Sequence, residues 1–340
     1  MTRAAVLGAG AWGTTFAMVL ADAGCEVRLW GRDEVVTQQV DREHRNEAHL
    51  PGVVLPEAVH ASSNAAAVLA GAELVAVAVP AQTARAALGP LAPHVGARAV
   101  VVSLMKGVEL TSGSLMSEVV GQALGLPAER VAVLSGPNLA KEIARRQPTA
   151  TVVASTHDDT AAAVARAVQS AYFRPYTSSD VVGVELCGAV KNVIALAVGM
   201  SQGRGFGFNT MATIITRGLA EIRRLGLALG ADTETFSGLA GAGDLMATCA
   251  SPESRNHSLG VLLGRGVPLD QALAATEGTA EGVKTSRAVL ELAGAHGVEM
   301  PISEAVVKVL YEGLPVDALA PVLLARPMKD EAADRPLDEA

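Results

Sequence analysis

Residues 8–13 read Gly-Ala-Gly-Ala-Trp-Gly and lie between a short apolar run, AAVL at 4–7, and an apolar helical segment, TTFAMVLADAG at 14–24. No other feature narrows the fold so far, because each glycine in the G-x-G-x-x-G spacing has its own steric job. Gly8 permits a tight turn out of a strand, Gly10 lets an anionic ligand approach the backbone, and Gly13 lets the following helix pack closely on the strand. The free N–H groups and positive end of that helix then make a site for a pyrophosphate. Strand, turn and helix in this order predict a dinucleotide-binding α/β unit.

Up to about residue 180 the rest of the chain agrees. Short β-rich apolar runs at 4–7, 26–30, 73–79, 98–103, 131–134, 149–154 and 172–176 alternate with Ala-rich helical stretches. That is the pattern of a parallel sheet covered by helices on both faces. From Ser179 onward strands vanish, and helical segments follow at 181–200, 209–229, 232–240, 255–264, 268–275, 283–296 and 302–312. The expected class is α/β, with a Rossmann-type doubly wound parallel sheet over residues 1–180 and an all-helical second domain over 181–327. The stretch 328–340 is charged and aperiodic, and is expected to be a disordered tail.

The 340 residues suit two domains of roughly 100–200 residues each. Half are apolar and only 3% aromatic, so the core must be built from Ala, Val and Leu. A net charge of −8 argues against nucleic-acid binding, which needs clustered cations to displace phosphate counterions. Any phosphate partner should be small and locally bound. Cys25, Cys187 and Cys249 are odd in number and lack metal-ligand spacing, which points to reduced thiols and no metal. MTRAAVLGAG enters a strand without a signal-peptide pattern. The apolar run from Cys187 to Met200 is interrupted by Lys191 and Asn192, short of the roughly 20 residues of a membrane span. A cytoplasmic protein with no membrane span is expected.

The second strand runs into Gly31-Arg32-Asp33, where an acidic side chain would take the ribose 2′-hydroxyl of NAD. Arg32 can accept a 2′-phosphate instead, so NADP is the expected cofactor, with NAD beside it because Asp33 follows. A merely solvated turn is the other reading.

Lysines are informative because there are six against 21 arginines. Lys106 follows VVVSLM at the end of a strand, the edge where ligands bind in open α/β sheets; otherwise it snorkels there. Lys191 has apolar helical neighbours in Cys187, Val190, Ile194 and Ala195. A desolvated ammonium has a lowered pKa, so Lys191 can exchange a proton with a substrate hydroxyl, with Asn192 beside it orienting a ligand. Its rival role is a structural ion pair with Asp244 or Glu185. Asp244 itself, in Gly241-Ala-Gly243-Asp244, reads most simply as the N-cap of a helix at LMATC. Ser251-Pro-Glu-Ser254-Arg255-Asn256 reads as a helix start with Ser251 at the N-cap and Pro252 next. Arg255 and Asn256 then lie where N–H groups and a guanidinium bind a phosphate together, or form an exposed turn.

In joint order these motifs resemble the soluble, bacterial-type NAD(P)-dependent glycerol-3-phosphate dehydrogenases from about residue 4 to 326. The pieces that carry the resemblance are GAGAWGT, Lys106-Gly107, Ser135-Gly-Pro137, Ala140-Lys-Glu142, the stretch from Glu185 to Asn192, Gly243-Asp244-Leu, Ser254-Arg255-Asn256 and Glu281-Gly282. The resemblance implies that Lys191 takes the C2 hydroxyl proton, and that Lys106 touches both substrate and cofactor. It implies a substrate site lined by Gly136, Asn138, Asn192, Asp244, Ser254, Arg255 and Asn256, with Lys191, Lys106 and Asp244 as catalytic residues. The cofactor would be held by Gly8, Gly10, Ala11, Trp12, Gly13, Arg32, Lys106, Ala140, Arg255, Thr279 and Glu281. The chain departs from the family at Asn138, usually Thr or Ser, and at Ala11, often Ser. The implied protein is a cytoplasmic homodimer that interconverts sn-glycerol 3-phosphate and dihydroxyacetone phosphate for phospholipid synthesis. Two other readings are another two-domain hydroxy-substrate dehydrogenase, with Cys187 as nucleophile if the substrate is a nucleotide sugar, and a non-catalytic dinucleotide sensor.

Overall fold

The computed structural model describes residues 2–276, 281–325 and 330–331. The strands are β1 (Arg3–Leu7), β2 (Glu26–Trp30), β3 (Val59–Ser62), β4 (Leu74–Val77), β5 (Val100–Ser103), β6 (Val131–Ser135), β7 (Thr149–Ala154) and β8 (Phe173–Ser178). Between them run α1 (Ala11–Asp22), α2 (Glu34–Glu43), α3 (Ala65–Leu69), α4 (Ala84–Leu88), α5 (Met116–Leu124), α6 (Ala140–Ala144) and α7 (Asp158–Val168).

The eight strands among the described residues form one sheet in the order β3-β2-β1-β4-β5-β6-β7-β8. β1 pairs in parallel with β2 on one side and β4 on the other, so the chain reverses its direction of winding there. A crevice opens at that switch point, beyond the carboxyl ends of the strands. The pleat divides the core: Ala4 and Val6 of β1 face one apolar layer with Phe16, Met18 and Phe173, while Ala5 and Leu7 face another with Leu69, Leu88 and Val120. Burial on both faces is why β1 and β4 read as unbroken apolar runs.

Two sheet features differ from expectation. β3 was not expected: it is a four-residue edge strand in which only Val59 is buried, so it has no apolar run to announce it. The sheet is also mainly rather than wholly parallel, since β7 runs antiparallel to β6, with Ser135 opposite Val152. The intervening α6 has five residues, about 7.5 Å at 1.5 Å per residue, too short to carry the chain back across the sheet. Residues 136–148 therefore stay at the ligand edge, and β7 starts there.

The helical half comprises α8 (Val181–Gly203), α9 (Phe208–Ala228), α10 (Thr233–Ser237), α11 (Asp244–Ala250), α12 (Arg255–Gly264), α13 (Leu269–Ala275), α14 (Glu281–Ala295), α15 (Pro301–Tyr311) and α16 (Leu319–Leu324). α8 is its axis. The apolar run expected to fall short of a span belongs to this helix of 23 residues, which is long and apolar enough to cross a membrane. It is instead a core helix, with 89% of its most apolar window buried inside the protein. Gly199 and Gly203 of α8 face Gly260 and Gly264 of α12, and a Cβ at any of the four would overlap the other helix's backbone. That close approach brings the start of α12 against α8.

The helix expected over 232–240 is interrupted. α10 ends at Ser237, and a π-helical turn at Leu239–Gly243 leads into α11. The glycines make the wide turn possible, since a Cβ at Gly241 would overlap the Phe236 backbone. The expected tail at 328–340 lies, apart from Asp330 and Glu331, outside the described residues.

Candidate active site

The glycine turn forms at the switch point. Gly8 has φ +122°, and a Cβ there would come within 2.5 Å of the Ala78 carbonyl oxygen after β4. A Cβ at Gly13 would overlap the Gly8 carbonyl oxygen, whereas none of the described residues lies within 4 Å of a Cβ at Gly10. Gly10 caps α1 without a side-chain bond, and the first turn, which holds Ala11 and Trp12, has no acidic residue. Open backbone, free N–H groups and the positive helix end suit a pyrophosphate, so the residues present fit a dinucleotide. Trp12 Nε1 is buried with no partner among the described residues. Asn46 supports the turn, donating to the Ala9 carbonyl at 2.9 Å and to Thr14 Oγ1 at 2.7 Å. Sequence reasoning missed it, because a lone Asn in a polar loop carries no signal.

At the end of β2, Arg32 is exposed on the bend into α2. Asp33 caps α2, one carboxylate oxygen accepting from Val35 N at 2.9 Å and Val36 N at 3.3 Å. Capping therefore uses the carboxylate that was expected to compete for a ribose. Ala140, the first residue of α6, accepts a bond from Thr15 Oγ1 of α1 at 3.3 Å, which ties that segment to the glycine-turn helix.

On the neighbouring strand ends, Lys106 donates to Asp244 Oδ2 at 2.7 Å and to the Gly136 carbonyl at 3.2 Å. Lys191 donates to Asp244 Oδ1 and, at 2.8 Å, to Thr248 Oγ1. Asp244 is 1% exposed and thus bridges two ammonium groups from different halves of the molecule. Burial lowers the Lys191 pKa; the Asp244 carboxylate opposes this and the like charge of Lys106 adds to it. Gly188, one turn before Lys191, leaves room for Ser135: a Cβ there would stand 2.7 Å from Ser135 Oγ, with the Lys106 stem in ordinary contact at 3.5 Å.

Two expectations about this cluster need correction. Asp244 is not an N-cap: Gly243 holds that position, and the Asp244 side chain turns to the lysines. Glu185 is not the partner of Lys191, since it binds Ser117 of α5. Thr248 was missed. It lies four residues after Asp244, a spacing that points to it only once Asp244 is placed inside the helix.

Asn138 donates to Thr151 Oγ1 at 2.9 Å, which in turn donates to the Ser135 carbonyl at 3.1 Å. Asn138 Oδ1 and Ser135 Oγ are buried and have no partner among the described residues. Such atoms are costly unless a ligand meets them.

The start of α12 is also corrected. Ser254, not Ser251, is the N-cap, accepting from His257 N at 3.3 Å, so Arg255 is the first helical residue and is exposed. Asn256 is partly committed to structure, its Oδ1 accepting from Gly282 N at 3.0 Å. Asn192 is buried on α8, with its amide 3.5 Å from the Gly188 carbonyl. Glu281, at the start of α14, accepts from Ala81 N at 3.3 Å beside the switch point. Burial raises its carboxyl pKa, and Arg255 and Lys106 pull it down. Thr279 lies outside the described residues. Cys187 is buried and its thiol pushed up by burial, which suits packing and not nucleophilic attack.

Comparison with known proteins bears on this arrangement. The model described as the NAD-dependent glycerol-3-phosphate dehydrogenase N-terminus matches residues 3–161, and that for its C-terminus matches 180–321. A relative from Streptomyces griseus named glycerol-3-phosphate dehydrogenase, NAD(P)+, is 55% identical over 97% of this chain and 98% of its own. One of the same name from Thermobifida fusca is 53% identical over 97% of this chain and 99% of its own. The solved glycerol-3-phosphate dehydrogenase of Coxiella burnetii superposes with a TM-score of 0.91 at 37% identity, covering 96% of this chain and 99% of that one. A D-mandelate dehydrogenase structure at 14% identity and a TM-score of 0.59 shares the fold alone. The chain belongs to the NAD-dependent glycerol-3-phosphate dehydrogenase family.

Proposed function

We propose that this chain is an NAD(P)-dependent glycerol-3-phosphate dehydrogenase, interconverting sn-glycerol 3-phosphate and dihydroxyacetone phosphate. The observation that carries the reading is the buried Lys106–Asp244–Lys191 cluster at the ligand edge, in a chain of this family. When bound, the nicotinamide ring supplies the hydride acceptor or donor for substrate C2. The chain's own side chains handle proton and charge. In oxidation the neutral Lys191 amine accepts the C2 hydroxyl proton, and in reduction its ammonium returns a proton to the C2 oxygen. Lys106 donates to the substrate beside Gly136, and Asp244 holds both lysines in register.

Arg255 and the N–H groups at the start of α12 take the substrate phosphate, with Asn138, Asn192, Ser254 and Asn256 lining the same site. Phosphate binding energy then orients C2. The Gly8–Gly13 turn holds the cofactor together with Ala140, Arg255, Thr279 and Glu281, and Arg32 takes the 2′-phosphate of NADP without excluding NAD. The division into cofactor and substrate domains falls near residue 180. The three buried free thiols support a cytoplasmic enzyme, here read as a homodimer that supplies glycerol phosphate for phospholipids.

The test is NADPH and NADH absorbance with purified protein, comparing dihydroxyacetone phosphate with 2-keto acids. Rapid oxidation with the phosphorylated ketone alone is expected. Turnover of a 2-keto acid in its place would assign the chain to another hydroxy-substrate activity.

A further inference from the structure

The loop that carries Lys106 leaves β5 and ends at α5. Val108 and Leu115 bridge it as an isolated antiparallel pair, and both pack into the helical core with Leu186, Ala189 and Val190 of α8. α5 has no side-chain cap of its own, because Leu115 stands at its N-cap. The cap comes from the other half of the molecule: Glu185 of α8 accepts from Ser117 N at 2.8 Å and from Ser117 Oγ. Glu185 is buried, and among the described residues the charge acting on it is that of another carboxylate, Glu118; burial and this like charge raise its pKa to about 7 against the lowering effect of the Ser117 bonds. A buried carboxyl without a counter-ion is costly and calls for a compensating role. Lys191 stands six residues further along α8, about 9 Å at 1.5 Å per residue.

We propose that Glu185 is a positioning residue: by capping α5 from α8 it fixes the Lys106 loop against the helix that carries Lys191, so that both ammonium groups meet the two oxygens of Asp244. The proposal rests on the lysine cluster being the catalytic centre. A small parting of loop and helix would spread the two lysines, and misplacement of about 1 Å costs on the order of 100-fold in rate.

The experiment measures dihydroxyacetone phosphate reduction, NADPH affinity by fluorescence titration, and thermal unfolding in Glu185→Met, Glu185→Gln and Ser117→Ala. Glu185→Met is expected to lose on the order of tenfold or more in kcat, and Ser117→Ala about threefold. NADPH affinity, set more by the pyrophosphate turn at Gly8–Gly13 than by Lys106, should stay within about twofold. Glu185→Gln keeps an acceptor for Ser117 N and should recover most of kcat. The proposal is overturned if Glu185→Met and Ser117→Ala both keep wild-type kcat, if the Gln variant loses as much as the Met variant, or if NADPH affinity falls in parallel with kcat. Should Glu185→Met fail to fold, Ser117→Ala, which removes one hydroxyl, decides. An inactive wild type overturns this proposal together with the function it rests on, whereas an active wild type with indifferent variants overturns this proposal alone.

Discussion

Lys106 and Lys191 share a single carboxylate, so the buried cluster carries one positive charge in excess when both lysines are protonated. Desolvation lowers the Lys191 pKa and Lys106 lowers it further, while Asp244 resists. With Lys191 as the proposed proton acceptor, the kcat for glycerol phosphate oxidation should therefore rise with pH well below lysine's ordinary 10.5. In Asp244→Asn the opposing charge is gone, so the rise should move to lower pH while the maximal rate falls. A move to higher pH in pH–rate profiles would contradict the assignment. The lysines were legible because ammonium groups amid apolar sequence are conspicuous. Thr248 and Asn46 were not, because their roles depend on partners far away in the chain.

At the scale of elements, two devices set the helical half. The first is the glycine contact between α8 and α12. A methyl at Gly260 would overlap Leu196 backbone, so Gly260→Ala should cost about 1–3 kcal/mol by overpacking, read from the urea midpoint. It should also raise the KM for the phosphorylated substrate by shifting Arg255, and an unchanged KM would detach α12 from the phosphate site.

The second device is the capping of α15 by Glu221 of α9, which accepts from Ile302 N, from Ser303 N at 3.2 Å and from Ser303 Oγ at 3.0 Å. Burial raises the Glu221 pKa from 4.5 to about 7. A carboxyl with a raised folded pKa contributes stability that is fully present below about 4.5 and lost as pH rises through about 7. Wild type should therefore lose more stability than Glu221→Gln between about pH 4.5 and 7, from the unfolded to the folded pKa; equal pH dependence in the two would refute this role. Among the strands, buried β1 and β4 were legible as apolar runs. β3 was not, because an edge strand buries one side chain, and the reversal of β7 was not, because periodicity carries no information about strand direction.

Over the whole molecule, the chain brings a sheet edge and a helix axis together around one buried carboxylate. The change from strands to helices after Ser178 was legible because hydrophobic period changes near residue 180. Their meeting was not, since no local pattern says that Asp244 reaches Lys106 across 138 positions. The cofactor end tests separately: Arg32→Ala should raise the KM for NADPH about tenfold with little change for NADH, in keeping with a charge-assisted phosphate contact of about 1.5–3 kcal/mol. Equal effects on both would make Arg32 a surface residue. The most direct test of the central claim is Lys191→Met, assayed at saturating dihydroxyacetone phosphate and NADPH beside a titration of cofactor affinity. Loss of kcat by about 10²–10⁴ with cofactor affinity intact is predicted for a lost proton-transfer group. A variant that keeps kcat within about tenfold of wild type would contradict the assignment of Lys191 as the proton-exchanging residue.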